Sequence, residues 1–160
     1  MQLSQFYRGN AMKGKKKPNK WITVMAAAAA VAAVYLAFDI GRGTYYNNLG
    51  TTYMAEGEYD QAISCFTKAL KARRESPEAY CNRGTAYSEK GEPDKAIPDF
   101  NKAIELSPEF ADAYYNRAVV YYQKKQYDKS WEDVRKAQEM GHRIDVNFLE
   151  ALREISPRQE

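Results

Sequence analysis

From Gly43 to Ile144 the chain resembles itself at a spacing of 34 residues, and no other property restricts its fold as tightly. Gly50, Gly84 and Ala118 fall in one column, and Tyr53, Tyr87 and Tyr121 in another. Ala62, Ala96 and Ser130 align, then Phe66, Phe100 and Val134, then Ala69, Ala103 and Ala137. Small and aromatic columns at such a period are the pattern of a helical repeat array. In such an array each unit is stabilised by its own hairpin and by its neighbours, so no single central core is needed.

Each unit divides into two amphipathic helices. In the middle one, Pro77–Phe110, the spacing predicts a first helix over 78–90 and a second over 94–106. Gly91 stands where a helix stops, and Pro93 where a helix-opening proline is tolerated. Gly84 and Ala96 are small where two helices must approach closely, and Tyr87, Phe100 and Ile104 fill the remaining space. Pro98 lies about one turn into its helix, where it removes a backbone donor and is expected to bend the start. The third unit departs in detail, with Ala118, Ser130 and Val134 in the key columns. Beyond it, Ile144, Phe148, Leu152 and Ile155 recur at helical spacing with Asp145 placed to cap the start. Such a helix would cover the apolar end of the array.

On these columns the chain resembles the tetratricopeptide repeat family. The expected architecture is all-α, a solenoid of three helical hairpins at 43–76, 77–110 and 111–144 with a capping helix at 145–156. The runs Asn82-Arg83-Gly84 and Asn116-Arg117-Ala118 are similar to a frequent variant in bacterial members. In this family the first helices of successive units line a concave groove that receives a partner's peptide or helix. Mapped onto this chain, the resemblance implies groove positions at Asn47, Asn48, Thr51, Cys81, Asn82, Thr85, Asp112, Tyr115, Asn116 and Tyr122. Co-chaperone members grip a C-terminal carboxylate with basic side chains on those helices. Here the corresponding places hold Asn47, Asp112 and Asn116, and only Asn82 matches. Without the cations the charge-assisted hydrogen bonds are lost, so a carboxylate clamp is not expected. Arg83 and Arg117 recur in register, and their stems are expected to pack between helices while the heads reach water.

The N-terminal region is of another kind. Residues 1–20 form a basic polar tail with Lys13, Lys15, Lys16, Lys17 and Lys20 clustered near its end. It abuts the 18 uncharged residues Trp21–Phe38, WITVMAAAAAVAAVYLAF. As a helix this run would be roughly 27 Å long, close to the hydrocarbon thickness of a bilayer. A transmembrane signal-anchor helix is therefore expected over 21–40, with Trp21 and Tyr35 at the two interfaces. Basic residues concentrate before the run, which by the positive-inside rule keeps the N-terminus cytoplasmic and the repeats on the periplasmic or extracytoplasmic side. A cleaved signal peptide and an alanine-rich helix packed against protein are the competing readings. Met12 is a second candidate start.

Dividing the charge excludes one class of partner. Through Arg42 the chain carries +6, and the remainder −3, so the repeats are mildly acidic. Phosphate neutralisation needs the opposite balance, and nucleic acid is not an expected ligand. No cofactor or metal is expected either: there is one histidine, His142, and two cysteines, Cys65 and Cys81, without a CxxC pair. The two cysteines are expected to pack as free thiols. No GxSxG, P-loop or HExxH occurs, and the acidic pair Glu132-Asp133 is expected on a solvated helix face. The expectation is thus a non-enzymatic interaction module that binds a protein, tethered to the membrane as an adaptor, assembly factor or structural subunit of an envelope complex. A soluble periplasmic or secreted adaptor, or a chaperone-like holdase, is the alternative if the run is cleaved.

Overall fold

A computed structural model describes residues 20–156 of the chain. The notion of a basic tail, apart from Lys20, and the choice of Met12 as start fall outside those residues. Among the described residues there are seven helices and no strand: α1 Lys20–Ala55, α2 Tyr59–Ala72, α3 Pro77–Glu89, α4 Pro93–Leu106, α5 Ala111–Gln123, α6 Tyr127–Glu139 and α7 Val146–Ile155. Contacts divide the chain into two units, one ending at Ala37 and the other starting at Phe38.

In the first unit α1 is exposed at Trp21 and from Val24 to Ala37, with Trp21 76%, Met25 69%, Val34 69% and Leu36 63% accessible. This is one helix among the described residues long and apolar enough to cross a bilayer. Its most apolar stretch has a mean hydropathy of 1.9, and none of that stretch is buried in the protein. The residues expected as the apolar helix, 21–40, and the start of the first repeat at Gly43 both fall within α1, Lys20–Ala55. Gly43 is glycine for a packing reason, since a Cβ there would sit 3.2 Å from Arg73 Cβ and 3.6 Å from the Ala69 carbonyl.

The second unit is the repeat array. The last part of α1 pairs with α2, α3 with α4 and α5 with α6, and each hairpin closes on a small-against-aromatic contact. A Cβ on Gly50 would lie 2.6 Å from Phe66 Cε1, and one on Gly84 2.9 Å from Phe100 Cε1. In the third hairpin the glycine has become Ala118 and its partner has shrunk to Val134, both buried, so the same gap is filled from the other side. Ser130, fully buried, satisfies its hydroxyl by donating to the Ala118 carbonyl at 2.8 Å. Consecutive hairpins join through α2 against α3 and α4 against α5. Phe66, Phe100 and Leu152 are the largest fully buried side chains, one from each of α2, α4 and α7.

The first helix of each hairpin ends the same way. Gly57 and Gly91 take positive φ, and the amide after each reaches back to the carbonyl five residues earlier, Glu58 to Tyr53 at 2.9 Å and Glu92 to Tyr87 at 2.8 Å. This is a Schellman closure, which favours glycine because a Cβ is penalised in the left-handed region. In the third unit the position is Lys125, which adopts φ 58° and makes the same closure, Gln126 to Tyr121 at 2.8 Å. Pro98 lies inside α4, which nonetheless continues as helix to Leu106. Asp145 caps α7 by accepting from the Phe148 amide at 3.0 Å, and Leu152 seals the last hairpin together with Ala118, Val134 and Ala137.

Candidate functional site

The first helices of the hairpins lie side by side, and their polar residues bond from one unit to the next. Asn82 Nδ2 on α3 donates to Asn47 Oδ1 on α1 at 3.1 Å. Asn116 Nδ2 on α5 reaches Thr85 Oγ1 at 3.3 Å and Cys81 Sγ at 3.6 Å, while Thr85 Oγ1 donates to the Cys81 carbonyl at 3.0 Å. Five of the ten residues mapped from the resemblance, Asn47, Cys81, Asn82, Thr85 and Asn116, therefore form one polar strip across three helices. Asn48 and Thr51 stand exposed on α1, Thr51 Oγ1 donating to the Asn48 carbonyl at 2.7 Å. Cys81 is buried, and burial, assisted by Asp112 and Glu78, pushes its thiol up to about 12, which leaves an unreactive group. Cys65 is likewise a buried free thiol.

At the third hairpin the surroundings differ. Asp112 pairs with His142 Nδ1 at 2.9 Å, and the His142 ring stacks on Tyr115 with centroids 4.7 Å apart. Phe148 of α7 meets Tyr115 edge-on at 5.9 Å and Tyr122 at 5.6 Å. Tyr115 and Tyr122 are thus largely engaged by the capping helix. Burial, and then the Asp145 carboxylate, push the Tyr115 phenol up. His142 and Phe148 were legible only as a helix end and a capping-helix position, since their contact with Asp112 and the tyrosines depends on how the last helix folds back.

The recurring arginines behave differently from the sequence expectation. Arg83 grips Asp99 through Nε and Nη2 at 2.7 and 2.8 Å, and Arg117 grips Asp133 through the same atoms at 2.7 Å each. Their heads do not end in water; buried carboxylates 16 residues further on hold them in a planar fork. The third nitrogen of each reaches the preceding hairpin, Thr67 Oγ1 from Arg83 at 3.3 Å and Asn101 Oδ1 from Arg117. Asp133, expected on a solvated face, is 3% exposed. Burial raises its carboxyl above the usual carboxylate range, against the downward pull of Arg117. In the first hairpin the corresponding pair is Leu49 and Cys65, so the same slot is filled there by apolar side chains.

A cleft of about 180 Å³ opens between α1, α2 and α3, with Asn47 and Thr44 on one wall and Arg73, Ser76 and Glu78 on the other. Among the described residues no group of three histidine, cysteine or acidic side chains is placed to hold a metal ion. What the strip offers is amide and hydroxyl hydrogen bonding flanked by tyrosine rings.

Family profiles described as tetratricopeptide repeat match residues 41–109 and 81–141. Residues 41–141 are built of tetratricopeptide repeats. Solved structures agree. The first TPR of Spaghetti (RPAP3), bound to the HSP90 peptide SRMEEVD, is 25% identical with a TM-score of 0.67, covering 72% of this chain and 91% of that one. The TPR2B domain of yeast Sti1, in a pHsp70 complex, is 28% identical with a TM-score of 0.61, covering 71% and 90%. The Arabidopsis OM64 TPR domain shares the fold at 20% identity and a TM-score of 0.70, covering 74% and 99%. No curated protein sequence matches the chain. The tetratricopeptide fold is typically a protein-interaction scaffold without catalysis of its own.

Proposed function

We propose that this chain is a membrane-tethered tetratricopeptide-repeat module whose first helices receive a peptide or helix of a partner protein, as an adaptor, assembly factor or structural subunit of a bacterial envelope complex. The observation that carries the tether is the apolar stretch of α1, none of whose most hydrophobic window is buried in the protein. About 18 residues of exposed alanine, valine, leucine and aromatic surface call for a non-aqueous surrounding. The strip from Asn47 through Asn82 to Asn116 supports the interaction role. Each asparagine amide offers donors and an acceptor together, and so suits the paired groups of a peptide backbone. The HSP90 peptide bound by the Spaghetti domain is acidic, and the places where cations would hold such a terminus carry Asn47, Asp112 and Asn116 here. The ligand is therefore a neutral or basic segment recognised along its backbone, not a carboxylate terminus.

Carbonate extraction tests the tether: full-length protein should stay in the pellet, and its release into the supernatant overturns the reading. A mature N-terminus near Phe38 would instead establish the soluble, cleaved adaptor. In inverted inner-membrane vesicles, added protease should leave the repeats protected, because they lie on the non-cytoplasmic side. Crosslinking in membranes followed by mass spectrometry should return one stoichiometric partner, lost in the Asn82→Ala/Asn116→Ala variant. A smear of clients would make the chain a holdase.

A further inference from the structure

The first hairpin carries charge that its repeats do not. Lys71, Arg73 and Arg74 end α2 and begin the turn after it; the same columns hold Glu105, Ser107 and Pro108 in the second hairpin and Glu139, Gly141 and His142 in the third. The second hairpin closes the same turn without them, Ser107 N–H reaching the Ala103 carbonyl as Arg73 N–H reaches that of Ala69, so the fold does not require these cations. All three are exposed, and among the described residues none is in an ion pair. The nearby acids are few: Asp39 faces Arg42 at 3.7 Å, Glu78 accepts from the Ser76 hydroxyl at 2.9 Å, and Glu75 stands exposed.

Their position follows from the packing of α2 against α1. Arg73 lies against Gly43, so the basic end of α2 is level with the start of the first repeat, and Gly43 follows Phe38 by five residues in the chain. Arg42 belongs to the same end, four residues after Phe38, which is 62% exposed. At these three columns the cations occur only in the hairpin next in the chain to the apolar run, while the third turn carries His142, paired with Asp112, and Arg143 one column on. A cluster so placed matches an anionic surface lying at that end.

We propose that Arg42, Lys71, Arg73 and Arg74 form a contact surface for anionic phospholipid headgroups, which holds the first hairpin against the bilayer that anchors α1. This rests on the tethered reading above. Juxtamembrane basic residues are attracted to an anionic leaflet, and the attraction decays within a Debye length of about 10 Å at 0.1 M salt. The contact therefore acts only on the unit beside the tether, and it leaves the groove of the second and third hairpins free.

The test uses the full chain in vesicles of phosphatidylcholine alone or with roughly one-third phosphatidylglycerol, read by flotation and by amide hydrogen exchange over 68–76. The expected result is flotation with both, and exchange slowed about threefold or more only in the anionic vesicles. High salt and the Lys71→Gln/Arg73→Gln/Arg74→Gln variant should abolish the slowing. Flotation with both but equal exchange overturns the headgroup contact and leaves the tether intact. Flotation with neither overturns both. Equal slowing by soluble glycerophosphate beside neutral vesicles would assign the cations to a free anion and overturn the lipid contact.

Discussion

Two positions show how single residues are chosen by backbone and contact. Lys125 holds the left-handed conformation that glycine takes at Gly57 and Gly91. Lys125→Gly should stabilise the chain by about 1 kcal/mol, less the entropy that glycine gains when unfolded. A higher urea midpoint at unchanged slope would check this. Gly84 faces Phe100 closely enough that Gly84→Ala should cost about 1–3 kcal/mol by overpacking. The third hairpin indicates the compensation: Gly84→Ala with Phe100→Val should be less damaging than the sum of the two single changes, by roughly 1 kcal/mol in a double-mutant cycle. Strict additivity would mean that the two side chains do not share the space. The small column was legible in the sequence, but its inverse coupling to the aromatic column was not, because it needed the distance between helices.

At the scale of the helix, the Arg–Asp forks tie three elements together: α3 to α4 and back to α2 through Arg83, and α5 to α6 and back to α4 through Arg117. Arg117→Leu should cost about 3–5 kcal/mol, because it strands Asp133 inside the protein. Converting the partner as well, Arg117→Leu/Asp133→Cys, copies the Leu49–Cys65 slot of the first hairpin and should recover most of the loss. The pH dependence has a defined sign. Burial already raises the folded Asp133 carboxyl above its unfolded value, and losing the guanidinium raises it further. A raised carboxyl favours the folded state fully below the unfolded value and loses that contribution as pH rises through the folded one. The deficit of Arg117→Leu should therefore shrink on acidification toward the ordinary carboxylate range. Thermal melts across that interval check it, and a deficit that grows as pH falls would contradict it. The arginines were visible as a column, yet their partners were not, since a spacing of 16 residues becomes a contact only when the hairpin closes.

For the molecule as a whole, the division of labour follows the chain. Among the described residues, those from Val24 to Ala37 offer exposed apolar surface, and residues 38–156 hold the packed array. The capping helix completes that array at Leu152, which is fully buried. Leu152→Ala should cost about 2–5 kcal/mol and loosen the third hairpin first. Hydrogen exchange would report this as early loss of protection in α5 and α6 relative to α3. Loss spread evenly over all hairpins would mean that the array unfolds as one body.

The sequence by itself determined the period, the helix pairs, the cap at Asp145 and the apolar run, because these are written in local spacing and residue type. Only the tertiary structure decided what the polar columns do. It joined Asn47 to Asn82 and Asn116 to Thr85 across hairpins, engaged Tyr115 and Tyr122 with Phe148, and turned Arg83 and Arg117 into buried forks. Side chains far apart along the chain meet through the angle and distance at which helices pack, and a one-dimensional pattern carries the faces of helices but not those distances.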